Sequence, residues 1–346
     1  MNFPDIPSIS NEARVAAKRR QDSLTKPLGS LGRLEDLSVD LAGMTGQEIP
    51  DFSQKSVILL AADHGIAKEG VSPYPQEVTP QMVMNFLNQG AAINVLTRQA
   101  GSRVVIVDIG VNYDFQAIPG ILHKKIAWGT ENMLHGPAMT LEQAEAAIQV
   151  GMDVANDLIG QGLQLVATGE MGIGNTTPSA AITAVMTGRP AAEVTGRGTG
   201  LDDAGLVRKI GLIEQAIAFN QPDPKDPMDV LCKVGGLEIA GMAGVTIAAA
   251  ARRVPVVLDG LISTAAAAIA VGLVPEVKHY LVAGHQSEEI GHRILLDQLG
   301  LSPLLRLDMR GGEGTGAALA FHLIDAAVNL LRDMATFNQA GVSNKS

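Results

Sequence analysis

Three short segments hold most of the residues whose types and spacing could do chemistry. The first is Gly169-Glu170-Met171-Gly172-Ile173-Gly174-Asn175-Thr176-Thr177-Pro178, which follows an apolar run and opens a stretch of helical character. Thr176 or Thr177 suits an N-cap, and Pro178 suits the first helical position. Glycines at such a place let a ligand approach the unpaired N–H groups of a helix start, which make a seat for a phosphate. The same residues also read as a tight turn and a capped helix that bind nothing. They are not a Walker loop, which needs Gly-Lys-Ser/Thr. Nor do they fit a dinucleotide fingerprint, because Ala180 to Met186 is helical where a second strand should lead to a ribose-binding acid.

The second segment, Gly196-Arg197-Gly198-Thr199-Gly200, precedes Arg208 and Lys209. Backbone amides with a nearby ammonium would clamp a monophosphate, although Lys209 also reads as an exposed helix charge. The third, Arg310-Gly311-Gly312-Glu313-Gly314-Thr315-Gly316, stands before the helical stretch Ala317 to Leu331. A carboxylate flanked by glycines leaves room for a planar heterocycle to meet its oxygens edge-on. The start of its own helix would keep Glu313 ionised in an empty site, and desolvation by a bound base would make it a better proton acceptor. An acidic residue that only stabilises the helix dipole would look the same.

His64 and His285 read as structural histidines at strand ends, hydrogen-bonded to neighbouring loops, rather than as a dyad or metal ligands. The stripe Met82, Met84, Phe86 and Leu87 reads as helix core, although methionine also suits a pocket for a flat ring.

The elements that must position these groups are apolar runs alternating with Ala-rich helical stretches, the pattern of a parallel sheet covered on both faces. The runs are Ser56 to Ala62, Arg103 to Ile109, Leu163 to Thr168, Val254 to Leu258, His279 to Ala283 and Leu304 to Leu307. Nearly all lead into Gly, Asp, Glu or His, so polar groups collect at one sheet edge, where open α/β sheets bind ligands. The fold class is therefore α/β, a three-layer parallel sheet with helices on both faces plus a small helical subdomain. Residues 51–310 are expected to form the core domain. Residues 1–50 and 311–346 are expected to supply the helical subdomain, with a loose terminus after Thr336.

Among 346 residues, 46% hydrophobic and 18% charged, 38 are glycine and only 3% are aromatic, a bias toward close backbone approach over aromatic bulk. A formal net charge of −10 argues against nucleic-acid and anionic-membrane partners. The basic knot Lys18-Arg19-Arg20 reads as a solvated helix face. Cys232 stands alone, the histidines lack metal-ligand spacing, and no charged-then-apolar leader precedes Met44. A cytoplasmic protein without disulfide, metal or cofactor is expected. The longest apolar stretch, Ile239 to Ala251, falls short of the ~20 residues of a membrane span and reads as a buried helix.

These segments occur in a fixed order with Lys26-Pro27-Leu28-Gly29-Ser30-Leu31-Gly32, Ala62-Asp63-His64-Gly65, Glu69-Gly70-Val71, Val234-Gly235-Gly236, Leu258-Asp259-Gly260 and Gly312-Glu313-Gly314-Thr315-Gly316-Ala317-Ala318. From about Lys26 to Leu331 the chain closely resembles the nicotinate-nucleotide:dimethylbenzimidazole phosphoribosyltransferase family, which makes the lower-ligand nucleotide of cobamides. The resemblance implies transfer of 5-phosphoribosyl from nicotinate mononucleotide to a benzimidazole-like base, giving an α-ribotide and nicotinate. It makes Glu313 the general base and Glu170 a second carboxylate near the reacting ribose. It puts Gly172, Gly174, Asn175 and Thr176, with Gly198 and Lys209, on phosphate-binding segments, and Asp259 and Ser287 on loops bordering the nucleotide pocket. It also implies a dimer, of identical chains or with a paralogue. Where the enterobacterial branch has polar Ser and Gln contacts to the base, this chain places Tyr74 and Met82, with Met171 beside Glu170. A looser pocket that also takes adenine or phenolic bases is the expectation. Two rival readings are a paralogous subunit, non-catalytic or co-catalytic on phenolic bases, and a nicotinamide-dinucleotide oxidoreductase.

Overall fold

The first strand, β1 (Lys55–Ala62), is buried from Ser56 onward, and a strand that is apolar on both faces belongs inside a covered parallel sheet. The computed structural model describes residues 1–116 and 118–343, and in it β1 is the centre of that sheet. Its neighbours are β2 (Arg103–Gly110) and β4 (Leu165–Met171), with β3 (Ile121–His123) beyond β2, and β5 (Val256–Leu258) and β6 (Leu281–Ala283) beyond β4. All the pairings are parallel, in the order β3-β2-β1-β4-β5-β6. The chain leaves β1 toward β3 and then returns to the other side of β1. The order therefore reverses between β1 and β4, and a crevice opens beyond their carboxyl ends.

Register places the chemistry. Strand β4 runs from Lys55↔Leu165 to Ala61↔Met171 against β1, so Gly169 and Glu170 lie in the last turn of the pleat rather than after it. The expected strand Leu163 to Thr168 is thus shifted toward the site, because pairing with β1 continues to Met171. Two other expectations change. The run Leu304 to Leu307 contributes only β8 (Leu305–Arg306), which pairs with β7 (His285–Gln286) in a separate two-stranded ladder. Edge strand β3, at three residues too short to stand out in the sequence, is the other.

Helices cover the sheet. The Leu237–Ala251 helix, buried through Ala250, packs on β1, β2 and β4 and against the Leu141–Gly160 helix. Gly151, Gly241 and Gly244 stand at that crossing, where a Cβ on Gly151 or Gly244 would strike a carbonyl of the facing helix. Small residues, not aromatics, therefore set this interhelical distance. The Thr315–Asp333 helix contacts β4 and β5 and, further along, the helices Ala92–Gln99 and Arg33–Thr45. The Asn11–Ser23 and Arg33–Thr45 helices pack against each other and against its far end, with Ala13, Ala17, Ala42 and Leu331 buried between them.

In the basic knot, Lys18 pairs with Asp22 in solvent, but Arg20 donates to the carbonyl of Arg332 at 2.8 Å and so satisfies a helix C-terminus. Beyond Thr336 the expected loose terminus is instead a short helix, Phe337–Ala340, whose Thr336 and Gln339 cap each other reciprocally. Residues 344–346 of that tail lie outside the described residues. No helix of the described residues is long and apolar enough to cross a membrane.

Candidate active site

A cleft of about 420 Å³ lies over the carboxyl ends of β4 and β5. Glu170, Met171, Gly172, Asn175, Thr176, Gly198, Asp259, Ser287 and Glu313, which come from five separate stretches of sequence, all line it. Tyr74 and Met82 join Val78 at one end. Gly174 and Lys209 do not reach the wall. Gly174, at φ +94°, makes the turn that packs the loop against Ala67 and Val71. Lys209 is 0% exposed and lies behind the wall.

Glu313 is held by unusual backbone. Gly312, Glu313 and Gly314 are all left-handed, at φ +67°, +64° and +91°, and for Glu313 that conformation costs on the order of 1–2 kcal/mol. The loop can lie directly on β4 only because Gly169 has no side chain, since a Cβ there would meet the Glu313 carbonyl. Two carboxylates hold the turn in place. Glu170 Oε1 accepts from the Glu313 N–H at 3.3 Å. Asp259 accepts from the N–H groups of Gly314 at 3.1 Å, Gly316 at 2.7 Å and Ala317 at 3.0 Å.

Asp259 therefore occupies the start of the Thr315–Asp333 helix, and this corrects the expectation that Glu313 rests on its own helix. The Glu313 carboxylate instead accepts from Ile93 N–H, at 3.4 Å, at the start of the Ala92–Gln99 helix. Burial raises its pKa above the usual carboxylate range, with the Asp259 charge adding to the rise and the Ile93 bond opposing it. The carboxyl is thus a stronger proton acceptor even before a base arrives.

Glu170 is more deeply enclosed. Burial raises its pKa to about 7, against the hydrogen bond from the Asn175 amide and with help from the Glu238 and Asp259 charges. The helix start lies earlier in the sequence than the expected Thr176 or Thr177 cap. Asn175 occupies the N-cap position with no side-chain cap bond, the Thr176–Thr187 helix begins one residue later, and Pro178 is its third residue rather than its first.

On the opposite side, the Gly196–Gly200 loop is tied down from behind. Lys209 Nζ donates to Thr176 Oγ1 at 2.7 Å and to the Gly196 carbonyl at 3.4 Å. Glu289 accepts from Gly198 N–H at 2.9 Å. Burial lowers the Lys209 pKa to about 8, with Glu289 opposing the shift. Arg310, exposed at the rim, donates to the Gly198 carbonyl at 3.3 Å and lines the cleft. Thr176 and Gly198 thus lie with two cations on one side of the cleft, and Glu170 with Glu313 on the other.

Glu289 and Ile262 went unread in the sequence, because neither stands in a glycine motif and only folding brings them to the cleft. The histidines are less simple than expected. His64 pairs with Glu238, at 2.8 Å, on a core helix rather than a loop, and both are fully buried. Burial lowers the His64 pKa, but the Glu238 charge and hydrogen bond outweigh it and the net shift is upward. His285 lines the cleft with Nε2 3.4 Å from Asp259. Phe86 is buried core as expected, whereas Met82 reaches the cleft. Among the described residues, no group of three or more His, Cys, Asp or Glu is placed to hold a metal ion.

Residues 6–342 match the family model DBI_PRT, described as phosphoribosyltransferase. The chain is 57% identical over 340 residues to the nicotinate-nucleotide–dimethylbenzimidazole phosphoribosyltransferase of Chloroflexus aggregans, covering 98% of this chain and 96% of that one. It is 56% identical over 338 residues to the enzyme of the same name from Desulforudis audaxviator, covering 98% and 96%. A crystal structure of CobT from Thermus thermophilus superposes with a TM-score of 0.93 at 46% identity, over 96% of this chain and 100% of that chain. These relatives lend no support to the oxidoreductase reading, and the Thr176–Thr187 helix is followed by further helices up to Val256, not by the second strand that a ~30-residue dinucleotide-binding unit needs. The chain belongs to the nicotinate-nucleotide–dimethylbenzimidazole phosphoribosyltransferase family.

Proposed function

We propose that this chain moves the 5-phosphoribosyl group of nicotinate mononucleotide onto 5,6-dimethylbenzimidazole or a related base, giving the α-ribotide and nicotinate, with Glu313 as the proton acceptor. The observation that carries the reading is a half-buried carboxylate of raised pKa, fixed on a strained glycine-flanked turn in the wall of a cleft that Thr176 and Arg310 also line, with Lys209 behind Thr176.

The chemistry follows from the substrates. The pyridine nitrogen of nicotinate mononucleotide is already cationic, so cleavage of the glycosidic bond releases a neutral ring nitrogen and needs no general acid. A benzimidazole nitrogen that attacks C1′ becomes cationic unless its other nitrogen loses a proton, and Glu313 would take that proton. Attack opposite nicotinate inverts the β-nucleotide to the α-ribotide. Glu170, beside the same turn, would face the ribose. Gly172, Asn175, Thr176 and Gly198, braced by Lys209, would receive the phosphate, with remote binding energy holding donor and acceptor in line.

Tyr74, Val78, Met82 and Met171 would bound the base by shape and apolar contact, so adenine or phenolic bases should compete with dimethylbenzimidazole. We further infer a dimer, of two copies or with a paralogue, and a cytoplasmic setting in keeping with a lone Cys232. Mass spectrometry of products formed by the purified chain from nicotinate mononucleotide and a panel of bases tests the reading. No ribotide with any base would defeat it, and exclusive use of dimethylbenzimidazole would defeat the looser pocket.

A further inference from the structure

We propose that His292 fixes Ser287 as a hydrogen-bond acceptor facing the cleft, and that Ser287 thereby receives a hydroxyl of the donor ribose rather than an oxygen of its phosphate. The inference deepens the function proposed above and rests on it for the identity of the donor.

Ser287 lines the cleft at the start of the loop after β7, and His292 lies behind it, 0% exposed, in the Ile290–Leu299 helix. His292 Nδ1 is 2.9 Å from the Ser287 backbone nitrogen and 2.9 Å from its Oγ. A backbone N–H can only donate, so Nδ1 carries a lone pair and the ring proton is on Nε2. Ser287 Oγ lies 2.9 Å from the same protonless atom, where two lone pairs would repel, so its single hydrogen points there and shares the Nδ1 lone pair with the backbone N–H. What remains toward the cleft is a pair of lone pairs.

The dianion of a phosphate monoester, its main form above about pH 6, has no proton to offer such a group, whereas a sugar hydroxyl does. The environment keeps the imidazole in this state, since burial, with the neighbouring His285 second, pulls its pKa down to about 3. The rings of His285 and His292 are 5.9 Å apart, and Glu289 lies on the same segment. The arrangement is not the most stable one available. His292 Nε2 is buried without a partner, a cost that a leucine or phenylalanine would avoid. The position of Ser287 fits the assignment as well, because it borders Gly260 in the acceptor-rich wall that also holds Glu170 and Asp259. Thr176, with the Lys209 ammonium behind its hydroxyl, and Arg310 supply the donors a phosphate requires, while the Gly198 N–H is already held by Glu289.

The test compares kcat/KM of wild type, Ser287→Ala, His292→Asn and His292→Leu. Each is assayed with dimethylbenzimidazole and four donors: nicotinate mononucleotide, its 2′-deoxy and 3′-deoxy forms, and nicotinate riboside. Ribotide formation by wild type from nicotinate mononucleotide is read first. Its failure would sink the parent reading and, with it, this one. Given turnover, one deoxy donor should lose on the order of ten-fold or more in wild type. That loss should vanish in Ser287→Ala, while the penalty for omitting phosphate stays the same in every variant. Asparagine places Oδ1 near the site of Nδ1, so His292→Asn should keep the deoxy penalty and His292→Leu should lose it. Should His292→Leu fail to fold, the other two variants still decide. A deoxy penalty that persists in Ser287→Ala, a phosphate penalty that disappears there, or a His292→Asn enzyme that behaves like Ser287→Ala would each overturn the proposal.

Discussion

Replacing Glu170 by glutamine should stabilise the fold at alkaline pH while damaging turnover. The magnitude comes from its surroundings. Burial places this carboxyl near 7 in the folded chain against 4.5 when unfolded, a difference worth roughly 3 kcal/mol at ~1.4 kcal/mol per unit. The sign follows from proton linkage. Below 4.5 both states hold the proton. Between 4.5 and about 7 the unfolded chain releases it while the folded one keeps it, so stability falls as pH rises and levels off above the folded value. Glutamine stays neutral throughout. Its Oε1 can still accept from Glu313 N–H, and rotation of the Asn175 amide lets that side chain present its oxygen to the new Nε2. Guanidinium denaturation should therefore show similar stabilities at about pH 4 and an advantage for Glu170→Gln approaching ~3 kcal/mol near pH 8. Turnover should fall by ~10²–10³, the usual cost of removing a charge-stabilising group at a reacting centre. Stability curves that superpose with wild type across this range would refute the argument, because they would mean that Glu170 meets water or a cation in solution.

Glu313→Gln should fold normally and lose ~10²–10⁴ in kcat with little change in nucleotide KM; unchanged turnover would remove it from the mechanism. Asp259→Asn leaves one oxygen for Gly316 and Ala317 but turns an amide toward Gly314 N–H. It should cost ~1–3 kcal/mol in denaturation and also lower kcat, since the Glu313 turn loosens. A stability loss without a rate loss would separate the cap from the catalytic turn. Lys209→Met should raise the KM for nicotinate mononucleotide more than that for the base, because Thr176 and the Gly196 carbonyl lose their brace. Equal effects on both substrates would contradict that assignment.

Periodicity and composition carried the reading of the parallel sheet well, because β1, β2 and β4 are apolar runs with no competing helical pattern. They failed at β3 and β7, where pairing of two or three residues leaves no trace in hydropathy. For the same reason Gly169 and Glu170 looked like loop residues: where a strand stops depends on how far its neighbour extends, and β1 extends to Ala61↔Met171. The helix starts were less legible still. The Asn175 amide can cap its own helix or serve Glu170, and only the position of that carboxylate in three dimensions decides between them.

By itself the sequence determined the fold class, the strand ends at which polar groups gather, and the glycine-flanked Glu313 turn, because these follow from local patterning and from which residues tolerate a left-handed backbone. Tertiary structure alone decided that Asp259, not Glu313, caps the Thr315–Asp333 helix. It likewise decided that Glu313 rests on Ile93, and that Lys209 lies behind the cleft wall instead of in it. Hydrogen-bond partners and desolvation are set by groups brought from more than 50 residues away, and no spacing along the chain records which of several candidate acceptors arrives first at a given N–H.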